Sequence, residues 1–379
     1  MDDGAFAAAA RKARRRLPRL FADYIDGGAH GERTMARNRS SFAQWGVVPR
    51  ALRDVSTVDL TTRCFNRTWK LPVFLAPVGF AGMFHHHGEC GAAHAAGSRG
   101  VGMGISTFSI APMETLAATG VDVMAQIYVL RDRALTRDML ARARACGISG
   151  IILTVDTAIT PVRERDVRNG FRHLSRPTLW QMASLLNHPA WVAGLMRGGM
   201  PVVGNVDAYT TARNVMGQAR DIAARIDPTL GWDDLAWLRE NWSGTLVVKG
   251  VMTPEDALRA ADAGVDGLVV SNHGGRQMDP APATLDVLPG IAAAVGERVD
   301  IMLDSGIRRG GDVVTALALG AHAVSIGRPW VWGLAAGGAT GVAAAIDTLA
   351  QEIRDVMALA GLCDIQSVRA AGRTALWRF

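Results

Sequence analysis

His273 and Arg276 stand three residues apart just beyond a short apolar run, Leu268 to Val270, within the stretch Gly264-Val265-Asp266-Gly267-Leu268-Val269-Val270-Ser271-Asn272-His273-Gly274-Gly275-Arg276. Glycines bound the run on both sides, a pattern that reads as a short parallel strand buried on both faces. An imidazole just past the C-terminal end of such a strand can exchange a proton near neutral pH, and a guanidinium close by can grip a carboxylate or phosphate in a planar fork. Gly274-Gly275 lets the backbone approach a flat ligand closely. A histidine in this position also suits a purely structural hydrogen bond, so the local pattern leaves both roles open.

Other groups would have a physical task if a small anionic acid were bound over a flat cofactor. Arg163 and Arg276 can clamp a carboxylate together, and Asp156 can hold the protonated form of His273. Lys249, at the end of an apolar strand, is costly to bury without a negative partner, and a reduced flavin ring carries such a charge. Gly306-Ile307-Arg308 and Gly327-Arg328 follow neighbouring strands and present glycine amides and guanidinium groups suited to a phosphate. The chain has three tyrosines, and Tyr24 and Tyr128 lie where hydroxyl donors are needed. The same residues also suit a salt-bridge network at a rim, with glycine turns beside surface arginines.

These groups are positioned by a repeated unit. Gly120, Gly147, Gly264 and Gly320 each follow an Ala-rich amphipathic stretch and precede a short apolar strand: Val123 to Ile127, Ile151 to Thr154, Leu268 to Ser271 and Val324 to Gly327. The strand ends seven residues after the glycine every time, and the units recur at multiples of roughly 28 residues apart from one gap. That is a helix stop, a tight turn and a buried strand. Val73 to Ala76, Gly102 to Ser106, Leu246 to Lys249 and Ile301 to Asp304 complete eight strands. Helix starts agree, as at Thr253-Pro254-Glu255-Asp256, where Thr caps, Pro suits the first turn and the acids favour the dipole. An α/β fold of the (β/α)8 TIM-barrel type is the first choice, and a doubly wound sheet the second. Residues 1 to about 45 read as helical with a break at Asp26-Gly27-Gly28, and 1–379 reads as one domain. In a barrel, Pro77 to Gly79, Ser106-Thr107, Tyr128, Asp156, Lys249, His273, Gly306 to Arg308 and Arg328 meet at one mouth.

The exception to the repeat is the segment 167–241, an insertion after the fourth strand. From Val167 to Val206 it has no acidic residue, yet it holds Arg168, Arg172, Arg176 and Arg197 beside Trp180, Met182, Leu185, Leu186, Trp191, Leu195 and Met196. Gln181, Asn187, His188 and Pro189 interrupt it, which argues against a spanning helix. It reads either as an amphipathic segment on an anionic membrane or as a lid or subunit contact.

At 379 residues with a net charge of +6, the chain is large enough for an ample core and only moderately basic. Arg11-Lys12-Ala13-Arg14-Arg15-Arg16 lacks the aromatic interleaving of a nucleic-acid reader, so no nucleic-acid partner is expected. It suits a solvated helix face or an anionic surface contact. Cys64, Cys90, Cys146 and Cys363 are scattered, with no CxxC and no His at metal spacing, so neither a disulfide framework nor a metal site is expected. A reducing, cytosolic compartment fits, and no signal peptide is evident.

The run Ser271-Asn272-His273-Gly274-Gly275-Arg276-Gln277-Met278-Asp279 resembles the signature of the FMN-dependent L-2-hydroxy acid dehydrogenases and oxidases. The likeness extends through Asp23-Tyr24-Ile25-Asp26-Gly27-Gly28, Ala76-Pro77-Val78-Gly79, Gln126-Ile127-Tyr128, Thr154-Val155-Asp156, Arg163-Glu164-Arg165-Asp166, Val248-Lys249-Gly250, Asp304-Ser305-Gly306-Ile307-Arg308 and Gly327-Arg328, in order over nearly the whole chain. The resemblance implies FMN across the mouth. Pro77, Val78, Gly79, Ser106, Gln126, Thr154, Lys249 and Ser271 would surround its ring and ribityl chain, and Asp304, Gly306, Arg308, Gly327 and Arg328 would serve ribityl and phosphate. It implies His273 as base, Asp156 as its partner, Arg163 and Arg276 as the carboxylate clamp, and Tyr24 and Tyr128 as hydrogen-bonders to substrate.

Within that family, Gly79 resembles the glycine of the bacterial lactate and mandelate dehydrogenases, where many oxidases carry alanine. The insertion, ending in Gly204-Asn205-Val206-Asp207-Ala208-Tyr209, looks like the segment that anchors bacterial lactate dehydrogenase where quinone reoxidises the flavin. These features imply oxidation of L-lactate, with mandelate-like acids second, at the cytoplasmic side of the inner membrane, by a homo-oligomer that the family suggests is a tetramer. Phe108, at a pocket position that varies in the family, and the short tail ending at Phe379 depart from parts of the pattern. An oxygen-using oxidase, another flavin task on the same barrel and a non-catalytic anion-binding module are the competing readings.

Overall fold

Four left-handed glycines set the period of the chain: Gly120 (φ 71), Gly147 (φ 81), Gly264 (φ 77) and Gly320 (φ 114). Each follows a helix and turns the backbone back toward a strand, a conformation that L side chains adopt only at a cost. The computed structural model describes residues 6–170, 187–199 and 201–379. Twelve strands are formed: β1 Trp45–Val47, β2 Thr62–Cys64, β3 Arg67–Trp69, β4 Val73–Leu75, β5 Met103–Ile105, β6 Val123–Ile127, β7 Gly150–Thr154, β8 Thr245–Val251, β9 Gly267–Val270, β10 Asp300–Asp304, β11 Ala323–Ile326 and β12 Leu376–Arg378. β4 to β11 form a closed, all-parallel barrel in chain order, with β11 returning to β4 through Val324 opposite Val73. Closure rules out the doubly wound alternative. All eight expected strands are present, with ends within one residue of those expected except β8, which runs two residues past Lys249 through a bulge to Val251.

Two apolar cores follow from the alternation of side chains along each strand. The outer core packs strands against helices and carries most of the buried Val, Leu and Ile. The inner core is small: Phe74, Met124, Ile152, Val247, Val269, Met302 and Ala323 point into the barrel and meet Cys64, Phe65 and Trp69 from the β2–β3 hairpin. The hairpin turn is Phe65-Asn66, both with positive φ (55 and 59), as a two-residue turn of the primed type requires. Phenylalanine is a poor choice for that backbone, but here its ring stoppers the N-terminal end of the barrel. Gly267 has no room for anything larger, since a Cβ there would lie 2.2 Å from the Phe65 ring.

The N-terminal region folds as α1 Ala7–Arg16, α2 Arg19–Asp26 and α3 Arg33–Ser40, with the expected break after Asp26. α3 is tied to the β9 loop by a reciprocal amide pair, Asn38 Nδ2 to Asn272 Oδ1 and Asn272 Nδ2 to Asn38 Oδ1, each 2.8 Å. Helix Arg328–Leu359 is long and apolar enough to cross a membrane, but it kinks at Gly338 (φ 63), and most of its apolar window is buried, packed on α1 and on helix Gly88–Arg99. In the insertion, helix Pro189–Gly198 docks on the barrel through Trp191, whose indole packs on Phe21 (5.3 Å) and donates to the Met83 carbonyl (2.7 Å). Arg172, Arg176, Trp180, Met182, Leu185 and Leu186, part of the proposed amphipathic run, lie outside the described residues.

The stopper predicts a separation of stability from chemistry. Phe65→Ala removes a buried ring at the closed end and should cost about 3–5 kcal/mol in urea unfolding, while flavin absorbance and substrate reduction of the folded protein stay unchanged. Equal urea midpoints for the two proteins would refute this role.

Candidate active site

The loop after β9 is organised by one hydroxyl. Ser271 Oγ accepts from Lys249 Nζ (3.0 Å) and from the His273 amide (3.0 Å) and donates to Asp304 Oδ2 (2.9 Å). One donor and two acceptor positions are thereby all used. This fixes the ends of β8, β9 and β10 together and holds His273 at φ 58, a strained backbone for a residue with a Cβ. The Gly274 amide continues the pattern by donating to Ser305 Oγ (3.0 Å).

His273 Nδ1 lies 2.8 Å from Asp156 Oδ1. A carboxylate only accepts, so Nδ1 carries the hydrogen and Nε2 is left with its lone pair at the cavity side. Burial pushes the imidazole below its ordinary value more than Asp156 raises it, with Lys249 and Arg163 adding to the depression, so the ring is neutral at neutral pH. Burial alone would raise the Asp156 carboxyl, but its interaction with His273, including the hydrogen bond from Nδ1, and the charge of Lys249 outweigh it and hold it below the ordinary carboxylate value. Neutral imidazole on a fixed carboxylate is the resting state of a general base.

Two guanidinium groups flank this pair. Arg276 Nη1 donates to the carbonyls of Tyr24 (2.6 Å) and Gly27 (2.8 Å), and its guanidinium lies 4.6 Å from the Tyr24 ring centre. Its Nη2 is buried with no hydrogen-bond partner among the described residues. Arg163 donates through Nε to the Arg276 carbonyl (3.3 Å) and through Nη2 to Gln277 Oε1 (3.4 Å). Burial, and then the charge of Arg276, push Arg163 down to about 10. Like charges held this close lower one another's stability unless an anion sits between them. The Tyr128 hydroxyl is driven up by burial and by Asp156 and Tyr24, so it stays protonated and able to donate.

Tyr24, Tyr128, Arg163, His273 and Arg276 line a cavity of about 530 Å³ at the C-terminal mouth of the barrel. Pro77, Val78, Gly79, Ser106, Gln126, Thr154, Lys249, Asp304, Gly306, Arg308, Gly327 and Arg328 line the same cavity. Ser271 and Asp156 do not: they stand behind it, acting through Lys249 and His273. The negative partner of Lys249 is Asp304 (3.4 Å), so the lysine is balanced without any ligand, contrary to the reading that its partner is a flavin. Arg328 donates to the carbonyls of Ile25 (3.0 Å), Gly274 (3.0 Å) and Gly27 (2.8 Å), and burial followed by Arg276 pushes it down to about 9. Much of its donor capacity therefore anchors the N-terminal segment. Gly306 is demanded by packing, since a Cβ there would lie 2.1 Å from the Asn38 carbonyl. At Gly79 a Cβ would meet the Phe108 Cβ at 2.9 Å.

The cavity suits FMN. Its volume falls in the range of about 300–1,000 Å³ usual for cofactor sites, and Arg308 and Arg328 supply positive charge. Gln126 Nε2 is buried with no partner among the described residues, while its Oε1 accepts from the Thr107 amide (3.1 Å). A buried amide left half-satisfied is costly, and a heteroaromatic acceptor would complete it.

Sequence reasoning missed one wall. Ile159 and Thr160 of the loop after β7, and Met216, Ala219, Ala223 and Ile226 of helix Val215–Arg225 and its C-cap, also line the cavity. The spacing of three, four and three residues is a helical stripe that was legible. It also missed His85-His86-His87, whose possible ligand atoms all lie within 4.8 Å of one another, against the expectation of no such histidine grouping.

A model of the FMN-dependent dehydrogenase family matches residues 13–376. The chain is 46% identical over 360 residues to an L-lactate dehydrogenase of Caulobacter vibrioides, covering 94% of each. Among solved structures it is similar to the monotopic membrane protein (S)-mandelate dehydrogenase, at 34% identity and a TM-score of 0.93 over 98% of both chains. It is also similar to mandelate oxidase, at 36% identity and a TM-score of 0.83 over 96% of both. With eight parallel strands delivering a histidine, an aspartate and paired arginines to one flavin-sized mouth, and a family match across almost its full length, the chain belongs to the FMN-dependent dehydrogenases.

Proposed function

We propose that this protein oxidises a small L-2-hydroxy acid to the 2-oxo acid, with L-lactate as the first substrate, and delivers the electrons to a quinone at a membrane surface. The observation that carries the reading is the Nη2 of Arg276, buried and without a hydrogen-bond partner among the described residues, beside Arg163 and His273. Arg276 and Arg163 hold the substrate carboxylate, and Tyr24 and Tyr128 orient the rest through their hydroxyls. His273 takes a proton from the substrate at Nε2, and Asp156 stabilises the imidazolium through Nδ1–H. Bound FMN supplies the two-electron acceptor. Pro77 to Gly79, Ser106, Gln126, Thr154 and Lys249 would hold its ring and ribityl chain, with Ser271 positioning Lys249, while Asp304, Gly306, Arg308, Gly327 and Arg328 would serve ribityl and phosphate.

Names and shape favour different side chains on the substrate. The L-lactate dehydrogenase name at 46% identity supports lactate, whereas the TM-score of 0.93 to (S)-mandelate dehydrogenase supports an aromatic acid as the second reading. Membrane association is supported by that monotopic neighbour and by exposed Met196 and Arg197 on the docked insertion helix. The cytoplasmic face of the inner membrane is the proposed location, with quinone as acceptor and a homotetramer as the assembly.

The defining test is anaerobic reduction of the bound flavin by a panel of 2-hydroxy acids in both enantiomers. L-Lactate should bleach the flavin fastest and D-lactate not at all, and a reduced enzyme should recover far faster with a soluble quinone than with air. Faster bleaching by (S)-mandelate would select the second reading, and recovery at equal rates would select an oxidase.

His273→Gln should retain FMN and slow bleaching by about 10²–10⁴-fold. An unimpaired variant would dismiss the base. Asp156→Asn should lose about 10⁴-fold by removing the group that fixes the tautomer.

The sign of the pH dependence follows from the depressed imidazole. The active form is neutral, so kcat/KM is lost as pH falls through the folded value, and that value lies below the ordinary imidazole value of about 6.5. The acid limb of kcat/KM should therefore have its midpoint under 6.5; a midpoint above it would contradict the burial argument.

A further inference from the structure

A second cavity, of about 230 Å³, shares no lining residue with the first and is framed by four segments far apart in the chain, the fourth contributing Ala335 of helix Arg328–Leu359. Arg16 comes from the end of α1, His85 and His86 from the loop after β4, and Trp191 and Arg197 from helix Pro189–Gly198. No described residue lining it is an acid, and 6–16, 77–88 and 167–206, which supply all of its lining except Ala335, contain no Asp or Glu. Glu89, next in sequence, is turned inward and accepts from the amides of Ala81 (3.1 Å) and Ile110 (2.9 Å). Arg14 and Arg19, on either side of Arg16, are paired with Asp26 and Asp23, yet neither Arg16 nor Arg197 meets a carboxylate among the described residues. Arg16 is held in place through its Nη1, which donates to the Ala336 carbonyl (2.9 Å).

The His85 imidazole is arranged as a donor. His85 Nδ1 accepts the His87 amide (3.2 Å), so Nε2 carries the hydrogen. His85 and His86 stack at 4.5 Å, with the ring of His85 seated in the space left by Gly338, where a Cβ would come within 2.7 Å of it. A divalent cation is the other ligand to weigh here. The flanking guanidinium groups oppose it, and one of the needed lone pairs is already taken by the His87 amide. Two guanidinium groups and an imidazole N–H donor around an acid-free hollow fit a phosphate instead. The Trp191 indole, its own N–H committed to the Met83 carbonyl, offers an apolar face beside it. Met196, 78% exposed one residue before Arg197, adds an apolar contact on the same helix.

We propose that this cavity binds the phosphate of an anionic phospholipid headgroup and so sets the depth and orientation of the enzyme on the bilayer. The proposal rests on the membrane association argued above, and it adds a specific site to a general attraction.

The test uses full-length, FMN-loaded enzyme in cosedimentation with phosphatidylcholine vesicles, with and without phosphatidylglycerol. Arg16→Ala combined with Arg197→Ala should weaken binding to the phosphatidylglycerol vesicles about 30-fold, at roughly a factor of five for each cationic residue. Binding to phosphatidylcholine alone and turnover with a soluble acceptor should not change. Arg11→Ala combined with Arg15→Ala removes as much charge from exposed positions on α1 outside the cavity, and should have a clearly smaller effect.

Equal losses in the two double variants would overturn the site in favour of diffuse charge. Wild-type enzyme that binds both vesicle types equally would overturn the site and leave membrane association standing, whereas failure to bind either would overturn both. If inorganic phosphate or glycerol phosphate perturbs Trp191 fluorescence while phosphatidylglycerol vesicles do not bind, the ligand is a free phosphate and the lipid assignment is wrong.

Discussion

Ser271 Oγ is the point on which the site depends, because a hydroxyl with one hydrogen and two lone pairs is here satisfied by two different strands and by its own loop. Its partners are an ammonium, a carboxylate and the amide of the catalytic candidate itself. Replacing any one of them would leave a buried charge or a buried donor without its partner, which costs more than the bond gains when intact. The strained φ of His273 is therefore held by interactions stronger than the strain. This explains why a residue in left-handed backbone can nevertheless present its ring with fixed orientation to Asp156.

The electrostatics of the mouth follow from that arrangement. Lys249 is neutralised by Asp304, and the charge of His273 in its protonated form would be met by Asp156, so neither pair leaves a net field. Arg163 and Arg276 are different: they adjoin each other, burial depresses Arg163, and Arg276 retains a buried N–H with no acceptor among the described residues. A preorganised excess of donors beside a neutral base is complementary to an anion that binds next to a group giving up a proton. The energy for holding two like charges together comes from the fold around them, through the carbonyls of Tyr24 and Gly27.

Much of this was legible because barrels repeat. The glycines at 120, 147, 264 and 320 marked the turns, the apolar runs marked strands buried on both faces, and residues just past those runs had to meet at one mouth. What escaped had no local signature. The Phe65 stopper occupies a turn position that propensity disfavours, so its reason appears only when the hairpin closes the barrel. Asp304 as the partner of Lys249 depends on which strands are neighbours, and the carbonyl partners of Arg328 depend on where the N-terminal segment crosses the rim. The stripe Met216, Ala219, Ala223 and Ile226 did carry a helical period, but it sat within an insertion whose charge pattern drew the reading toward membranes.

α2 connects these parts physically. Phe21 packs on Trp191 of the insertion, Tyr24 lies under the guanidinium of Arg276, and Asp26 accepts from the Trp332 indole (2.8 Å), whose ring lies 5.0 Å from the guanidinium of Arg308. One short helix thus touches the docked insertion and Arg276 and, through Trp332, is linked to Arg308 at the cavity, all within six residues. A helix is stiff over that length, because every turn is braced by its own hydrogen bonds. Displacing Trp191 would therefore be felt at Tyr24 as a change in the surface supporting Arg276. The geometry that orders the mouth of the barrel is the same geometry that fixes the insertion helix, and α2 ties the two together mechanically.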